Sequence, residues 1–391
     1  MAYTIDILCK GVIELEINET FVLESIGLPA LIEIARQAAG VNVLELDQWR
    51  IEQIGGGLGN PVSVGLYRVA GEGRTGGEAE PWSAILKVIQ SPANVGQTNM
   101  GEKDDPTHWN YWKRELHAYR SGFLDMLPDG LVAPRCYATQ ELPGEVACLW
   151  LEEIGGINAD AWPPERYTSA ARRLGHLNGL YAGARPLPEY PWLGRRRLRQ
   201  WNDLFTEWRT IQWTHPLIQA QYPEAEIGNL RRVLLESDDF LAQLDRLPRT
   251  VCHGDTYPTN FKSRERSGGE ETVVLDWALA HTGPIGFDLG AFVFGAYLNM
   301  PERHLPEVDG TLFKAYLAGL SDSGFRADER QVRFGYATSA TLIISQFVLA
   351  MLDWQLKADD AVEIEATGPN DGRPCFEAAM ADIACELRDV I

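Results

Sequence analysis

The chain has 391 residues, of which 45% are hydrophobic and 23% are charged, so it is long enough to bury one or two substantial cores. Its 35 lysines and arginines against 55 aspartates and glutamates give a formal net charge of -20 at pH 7. A surface this acidic repels phosphate backbones and anionic lipid, which argues against nucleic acid and membranes as partners. The composition leaves open whether the acidity serves solubility alone or also attracts a cationic ligand.

Targeting signals, membrane spans and disulfides are not expected. Residues 1–10 lack the basic and apolar regions of a signal peptide, which predicts a cytoplasmic protein. The longest apolar stretch, 335–352, is interrupted by polar side chains and ends at Asp353, so it is typical of a buried core helix. Six scattered cysteines without a C-x-x-C pair argue against a zinc site and against a disulfide framework.

Two compositional regimes follow each other along the chain and change near residue 150. After an amino-terminal extension (about 1–47) whose helical part is 31–39, short β-type runs between glycine-rich turns predict strands at 48–54, 62–69, 84–89 and 146–151. Helical periodicity then predicts helices at 169–181, 198–213, 224–247, 312–321 and 331–352. Residues 250–277 are the exception, because strand-like runs flank a charged tip at 263–271 and predict a β-hairpin inside the helical part.

The strongest chemical motif lies in this hairpin region. It reads H-G-D-T-Y-P-T-N at 253–260, followed by V-V-L-D-W at 273–277. Phosphoryl transfer needs an aligned hydroxyl and neutralisation of charge on the phosphate oxygens. Asp255 suits the role of orienting or accepting the hydroxyl proton, and Asn260 and Asp276 offer the hard oxygen ligands that magnesium prefers. We expect the hairpin to bring Asn260 and Asp276 to the same end, although such residues can also cap turns.

The string H-G-D-x-x-P-x-N, an apolar strand and D-W together resemble the aminoglycoside phosphotransferase and choline kinase family. The resemblance covers roughly residues 50–320 and implies an α+β, protein-kinase-like two-lobed fold. A small β-rich amino-terminal lobe (1–150) would bind the nucleotide, and a larger, mainly α-helical lobe (151–391) would carry the catalytic loop, the metal site and the acceptor site. The implied cofactors are ATP or GTP and Mg²⁺. The segment G-P-I-G-F-D-L at 283–289 resembles the family's segment after the metal-binding aspartate, which implies that Asp288 is a structural anchor. His253 is expected to support the loop as a neutral side chain, the alternative being a metal ligand.

The resemblance also assigns residues to the nucleotide. Lys87, alone on the apolar strand 84–88, would contact the α/β-phosphates and pair with Glu115 in E-L-H-A-Y; the alternatives are an edge-strand lysine reaching solvent and an ordinary surface glutamate. A glycine-rich turn would cover the phosphates, although it is neither a Walker A motif nor G-x-G-x-x-G. A hinge with exposed glutamates would read the purine edge through its backbone. The residues of this turn and this hinge are Gly55, Gly56, Gly57 and Gly59, and Leu151, Glu152 and Glu153.

Departures from the resemblance narrow the expected function. The strings H-R-D, D-F-G and A-P-E are absent, which argues against a protein substrate. An insertion at 91–108 separates Lys87 from Glu115, and Tyr257 and Thr259 stand where the family often has His and Gly.

The acceptor is expected to bind near acids and aromatic rings of the helical lobe, although a solvated acidic face is an equally simple interpretation. The arginine run 195–199 predicts a helix start with local salt bridges and leaves a phosphate-bearing acceptor open. An aminoglycoside or amino sugar is the favoured acceptor. The alternatives are a neutral sugar, a macrolide, an amino alcohol such as choline, or a pseudokinase sensor that binds nucleotide without turnover. The candidate acceptor-binding residues are Tyr257, Asp353, Trp354, Asp359 and Asp360.

Overall fold

The computed structural model describes residues 16–55, 60, 62–95, 105–224, 227–266, 269–300, 302–357, 375–388 and 390–391. The chain divides into two compact units. The first comprises Met1–Leu127, Val132–Gly156 and Val273–Ala278, and the second comprises Pro128–Leu131, Ile157–Thr272 and Leu279–Ile391. Strands dominate the first unit and helices the second, which confirms the predicted α+β fold class.

Strands and helices are numbered here in chain order. The strands are β1 (Glu45–Gly55), β2 (Ser63–Thr75), β3 (Glu78–Gln90), β4 (Leu131–Val132), β5 (Cys136–Leu142), β6 (Val146–Glu152), β7 (Ile157–Asn158), β8 (Arg249–Cys252), β9 (Phe261–Arg266), β10 (Gly269–Val274) and β11 (His281–Pro284). The helices are α1 (Glu19–Ile26), α2 (Leu28–Ala39), α3 (Arg114–Arg120), α4 (Pro164–Gly179), α5 (Arg197–Leu204), α6 (Pro216–Gln221), α7 (Ile227–Leu235), α8 (Ser237–Leu244), α9 (Phe287–Asn299), α10 (Leu305–Asp322), α11 (Glu329–Ala340), α12 (Gln346–Lys357) and α13 (Phe376–Arg388).

An antiparallel five-stranded sheet of order β1-β2-β3-β6-β5 organises the first unit, and β3 is its central strand. Alternate residues of a strand point to opposite faces of the sheet. Accordingly, Leu86 and Val88 pack with α1 and α2 on one face, whereas Ile89 packs with Trp112 and Leu116 on the other. Lys87, which lies between Leu86 and Val88 on this central strand, is therefore on the second face.

Two small sheets position the chemistry of the second unit. The antiparallel pair β8 and β11 aligns Cys252 with His281, and the next residues after β8 begin the H-G-D motif. The predicted hairpin is present as β9 and β10, which are adjacent in the order β4-β10-β9-β7. Gly286 precedes α9 with φ 90°, where an added Cβ would lie 2.5 Å from the carbonyl oxygen of Val332, so only glycine fits there.

Several predicted helices are shorter than expected. The predicted helix 198–213 ends at Leu204, and 224–247 is divided at Glu236 into α7 and α8. The long apolar helix is also interrupted, because a π-helical turn at Thr341–Ser345 joins α11 to α12. The hydroxyl of Thr341 donates to the Ala337 carbonyl within this stretch, and such bonds compete with regular helical bonds. Residues Glu329–Lys357 are long and apolar enough to cross a membrane, but 72% of their most apolar window is buried, as in the core of a soluble protein.

Candidate active site

The H-G-D loop is held by a buried carboxylate. Asp288, in the first turn of α9, accepts hydrogen bonds from the backbone N–H groups of His253 at 2.9 Å and Gly254 at 3.0 Å. The side-chain amide of Asn178 donates to the same carboxylate at 3.2 Å. Burial raises the pKa of Asp288, and the two backbone donors oppose that rise. These bonds fix both residues that precede Asp255.

Two further contacts define the conformation of this loop. The backbone N–H of Asp255 donates to Nδ1 of the buried His253 at 3.2 Å. Gly254 has φ 88°, and an added Cβ would lie 2.2 Å from the carbonyl oxygen of Leu279. The loop therefore needs glycine at this position, for both its conformation and its packing.

Asp255 and Asn260 meet at the end of the loop. The amide nitrogen of Asn260 donates to the backbone oxygen of Asp255 at 2.9 Å and to its carboxylate at 3.0 Å. Because the nitrogen of the Asn260 amide is committed to Asp255, its oxygen is the atom able to ligate a cation. Both side chains are partly exposed, so solutes can reach them.

The first unit holds the other charged cluster. Lys87, on the central strand β3, has its Nζ 2.5 Å from Oε2 of Glu115 and 2.9 Å from Oδ1 of Asp276. Burial lowers the pKa of Lys87, but the charges and hydrogen bonds of Asp276 and Glu115 outweigh that effect and raise it above its usual value. Lys87 is therefore a charged, buried group and does not lie on a sheet edge.

Asp276 has a strained backbone. Its φ is 60°, which is uncommon for a residue with a side chain. Such conformations persist where the surroundings enforce them, and they concentrate at functional sites. A cavity of about 170 Å³ adjoins this position, and its lining includes Lys87, Glu115, Asp276 and the pair Asn60 and Asn110.

Arg114 anchors the segment before Glu115 and was missed by sequence reasoning. It is buried, and its guanidinium donates to the carbonyl oxygens of Trp109 at 2.6 Å and Ala278 at 3.1 Å. The segment after the insertion forms α3, which begins at Arg114. An arginine beside a glutamate on a helix has no sequence signal that would separate it from a surface residue.

The glycine-rich turn and the hinge are only partly described. Gly55 ends β1 with φ 149°, whereas Gly56, Gly57 and Gly59 lie outside the described residues. Leu151 is buried in β6.

The expectation that the hinge glutamates are exposed is wrong. Glu152 and Glu153 are half-buried, and Oε2 of Glu153 lies 3.0 Å from Arg68. The backbone N–H of Glu152 donates to the Arg135 carbonyl at 2.8 Å. These local partners hold the two glutamates against the sheet.

The predicted acceptor residues lie in different surroundings. Asp353 is buried and accepts a hydrogen bond from Lys357 at 2.5 Å, whereas Trp354 is 42% exposed. Asp359 and Asp360 lie outside the described residues. The ring of Tyr257 packs edge-on against Phe294 at 6.1 Å.

Glu377, on α13, also lies near Tyr257 and was not predicted from the sequence. Phe376, the preceding residue, lies 5.2 Å from Phe294 between ring centroids. Burial raises the pKa of Tyr257, and the charges of Asp255 and Glu377 raise it further. The buried Glu377 accepts hydrogen bonds from Tyr222 at 3.4 Å and Cys375 at 3.2 Å. Its position depends on the docking of α13, which no local motif signals.

Known proteins resemble much of this chain. A family model described as the phosphotransferase enzyme family matches residues 104–334. No curated protein sequence matches the chain. A spectinomycin phosphotransferase in complex with ADP and spectinomycin has 11% identity and a TM-score of 0.49, covering 92% of this chain and 98% of its own. A choline kinase from Streptococcus pneumoniae has 14% identity and a TM-score of 0.42, covering 89% and 95%. An amicoumacin kinase in complex with AMP-PNP and Ca²⁺ has 14% identity and a TM-score of 0.46, covering 95% and 93%.

Proposed function

Because the chain belongs to the phosphotransferase enzyme family and is therefore a small-molecule phosphotransferase, we propose that it transfers the γ-phosphoryl group of ATP or GTP to a hydroxyl of its acceptor in a magnesium-dependent reaction. The observation that carries this proposal is the loop in which Asp288 holds two backbone N–H groups and Asn260 holds Asp255. We further propose that the enzyme works in the cytoplasm, with residues 1–150 and 151–391 as its two lobes.

Asp255 is the proposed catalytic residue. A partly exposed carboxylate can accept the proton of an acceptor hydroxyl and orient its oxygen towards the phosphorus atom. Its orientation is set by Asn260, which donates to its carboxylate, and by His253, which accepts from its backbone. A fixed carboxylate reduces the entropy lost in reaching the reactive geometry.

Asn260 and Asp276 are the proposed magnesium ligands. An amide oxygen and a carboxylate are hard oxygen donors, and Mg²⁺ is usually held by one or two protein ligands with the rest from water and phosphates. When bound, the ion would neutralise charge on the phosphate oxygens. The donor set therefore fits the ion in chemistry.

Lys87 is the proposed phosphate-binding cation. It stays charged while buried, because Glu115 and Asp276 lie within 2.9 Å. We propose that Glu115 orients it and that the cavity beside it takes part of the nucleotide, with Gly55, Gly56, Gly57 and Gly59 covering the phosphates. The backbone of residues 151–153 is proposed to contact the base through groups other than the Glu152 N–H, which already has a partner.

A cationic acceptor of the aminoglycoside or amino-sugar type is the favoured substrate. The support is the partly exposed carboxylate of Asp255 in the catalytic loop, whose negative charge also acts on the nearby Tyr257. Carboxylates form charge-assisted hydrogen bonds with ammonium groups, and an aromatic ring can lie against a sugar face. A neutral sugar or a neutral lactone would make no use of this charge, whereas an amino alcohol carries a single positive charge and would pair with it at one point only.

Substitution of the catalytic carboxylate tests the function. Asp255→Ala should lower turnover by about 10²- to 10⁴-fold, the usual contribution of a general base, while nucleotide affinity stays within twofold. The exposed Asp203→Ala is the matched control and should keep full activity. The assay is ADP or GDP release with aminoglycosides, amino sugars, choline and neutral sugars, with and without Mg²⁺. Full activity of Asp255→Ala on the best acceptor would refute the assignment, and tight nucleotide binding without any turnover would indicate a pseudokinase.

A further inference from the structure

A cavity lined by arginines in the second unit has no part in the proposed reaction. Its volume is about 230 Å³, and its walls come from the start of α5, from α8 and from the paired strands β8 and β11. Asp245 is the one acidic side chain among its described lining residues. The arginines that line it are Arg195, Arg196, Arg197, Arg199 and Arg249. The charged residues that line the cavity are therefore mainly positive, although the chain as a whole has a net charge of -20.

Hydrogen bonds to neighbouring segments fix the backbone at the start of the arginine run. Gly194, directly before the run, donates its N–H to the Ala280 carbonyl at 3.3 Å and accepts from the Thr282 N–H at 2.7 Å. The guanidinium of Arg249 donates to the Arg195 carbonyl at 3.2 Å. Because the backbone is already fixed, ligand binding would cost mainly the conformational entropy of the arginine side chains.

The arginines differ in how their charges are used. Arg199 forms a hydrogen-bonded ion pair with Asp245, and Arg249 lies 3.9 Å from the same carboxylate. Arg195 and Arg196 are exposed, and neither forms a salt bridge with any residue in the described ranges. The cavity therefore presents two guanidinium groups at its surface whose donors the described protein does not use.

Arg197 adds a buried positive charge to the wall. It is 5% exposed, and its guanidinium carbon lies 5.5 Å from the centre of the Trp201 ring. Burial lowers the pKa of Arg197 to about 10, and the charges of Asp255 and Asp288 oppose that decrease. Arg197 thus remains charged at neutral pH and lies within electrostatic range of the catalytic loop.

We propose that this cavity, the arginine pocket, binds a small phosphate-type dianion, either free phosphate or the phosphoryl group of a small phosphomonoester. Guanidinium groups bind phosphate oxygens through paired, charge-assisted hydrogen bonds, and five arginines line this cavity. The volume of about 230 Å³ is below the ~300–1,000 Å³ usual for pockets that enclose larger organic ligands, which favours a small anion over a nucleotide.

Isothermal titration calorimetry with inorganic phosphate, at constant ionic strength and without magnesium, tests whether the arginine pocket binds phosphate. The wild-type chain should bind phosphate saturably, and the double variant Arg195→Gln/Arg196→Gln should bind it at least ~10-fold more weakly, about 1.4 kcal/mol. Both side chains are exposed, so the fold should tolerate the change. The matched control is Arg326→Gln/Arg330→Gln, which removes the same charge from two exposed arginines outside the pocket and should bind phosphate as the wild type does. Absence of phosphate binding to the wild type, or equal binding by all three chains, would overturn the proposal.

A second titration separates the two sources of the anion. Glycerol 3-phosphate binding more tightly than phosphate, with the difference lost in the pocket variant, would identify an organic phosphomonoester. Equal affinities, both reduced in the pocket variant, would identify free phosphate, and either result supports the pocket. Nucleotide binding and the effect of Asp255→Ala should be the same in both double variants, so failure of the pocket leaves the proposed function standing.

Discussion

Replacing Asp288 by asparagine should reduce kcat through the position of the H-G-D loop, which Asp288 holds. In the structure one carboxylate oxygen accepts from the Gly254 N–H at 3.0 Å, and the other accepts from the His253 N–H at 2.9 Å and the Asn178 amide at 3.2 Å. Asparagine has an NH2 group in place of one of these oxygens, and this group donates hydrogen bonds but cannot accept them. Whichever oxygen is lost, at least one buried N–H of the loop then faces another donor.

The size of the effect follows from these bonds. An orphaned buried donor costs about 1–3 kcal/mol, and each remaining bond loses charge assistance of roughly 1 kcal/mol. Relief of the buried charge of Asp288 offsets part of this, so we expect a loss of about 2–4 kcal/mol in the free energy of unfolding. The loop should also shift, carrying Asp255 with it. A displacement of about 1 Å costs on the order of 10²-fold in kcat, whereas the KM for the nucleotide should change little.

Asp309→Asn provides the comparison for Asp288→Asn. Asp309 is also buried, and it accepts from Arg333 at 2.8 Å and from Tyr336 at 2.9 Å. It should lose similar stability in urea unfolding but keep kcat within about twofold, because it does not contact the loop. Steady-state kinetics on the folded variants decide the matter. Equal kcat for Asp288→Asn and wild type, or equal losses of kcat in both variants, would refute the positioning role of Asp288.

Two further predictions concern the metal and the pH dependence of stability. Asn260→Ala should raise the Mg²⁺ concentration for half-maximal activity by about 10-fold or more, because it removes both a proposed ligand and the bonds that orient Asp255. The control is Asn229→Ala, which removes an asparagine hydrogen-bonded to Asp382 and should leave the Mg²⁺ titration unchanged. Burial raises the pKa of Glu377 above the usual value for a glutamate. The stability that this carboxyl contributes is therefore fully present below its usual pKa and is lost as the pH rises through the higher folded pKa. Glu377→Gln, which cannot titrate, should therefore gain stability relative to the wild type in urea unfolding as the pH rises above the usual range of a glutamate. A stability difference that is constant with pH would contradict this.

Local spacing made parts of the fold and of the site predictable. Asp255 and Asn260 are five residues apart in one loop, so their contact depends on a short turn that the motif itself specifies. The strands predicted at 48–54 and 84–89 lie within β1 and β3, because alternation and β-branched side chains mark them strongly. The pattern did not show that β3 is central, since strand order depends on long-range pairing.

Contacts between distant segments could not be predicted. Glu377 reaches the surroundings of Tyr257 only because α13 docks against the rest of the second unit. The helix predicted at 224–247 ends at Leu235, where Glu236 adopts a non-helical conformation with φ -101° and ψ 24°. Apolar periodicity continues through such a break, so periodicity alone overestimates helix length.

Position in the fold, more than residue type, separates the two groups of cations in this acidic chain. Lys87 lies on a central strand between two carboxylates at 2.5 and 2.9 Å, so its charge is already neutralised and it can bind phosphate only as part of that cluster. Arg195 and Arg196 are exposed and form no salt bridge with the described residues, so an added anion gains their attraction without displacing a carboxylate. A buried, paired cation is suited to a ligand that brings its own metal ion, and exposed unpaired guanidinium groups are suited to a free dianion. The excess of acids therefore does not determine the sign of the ligand, which must be derived from each cluster separately.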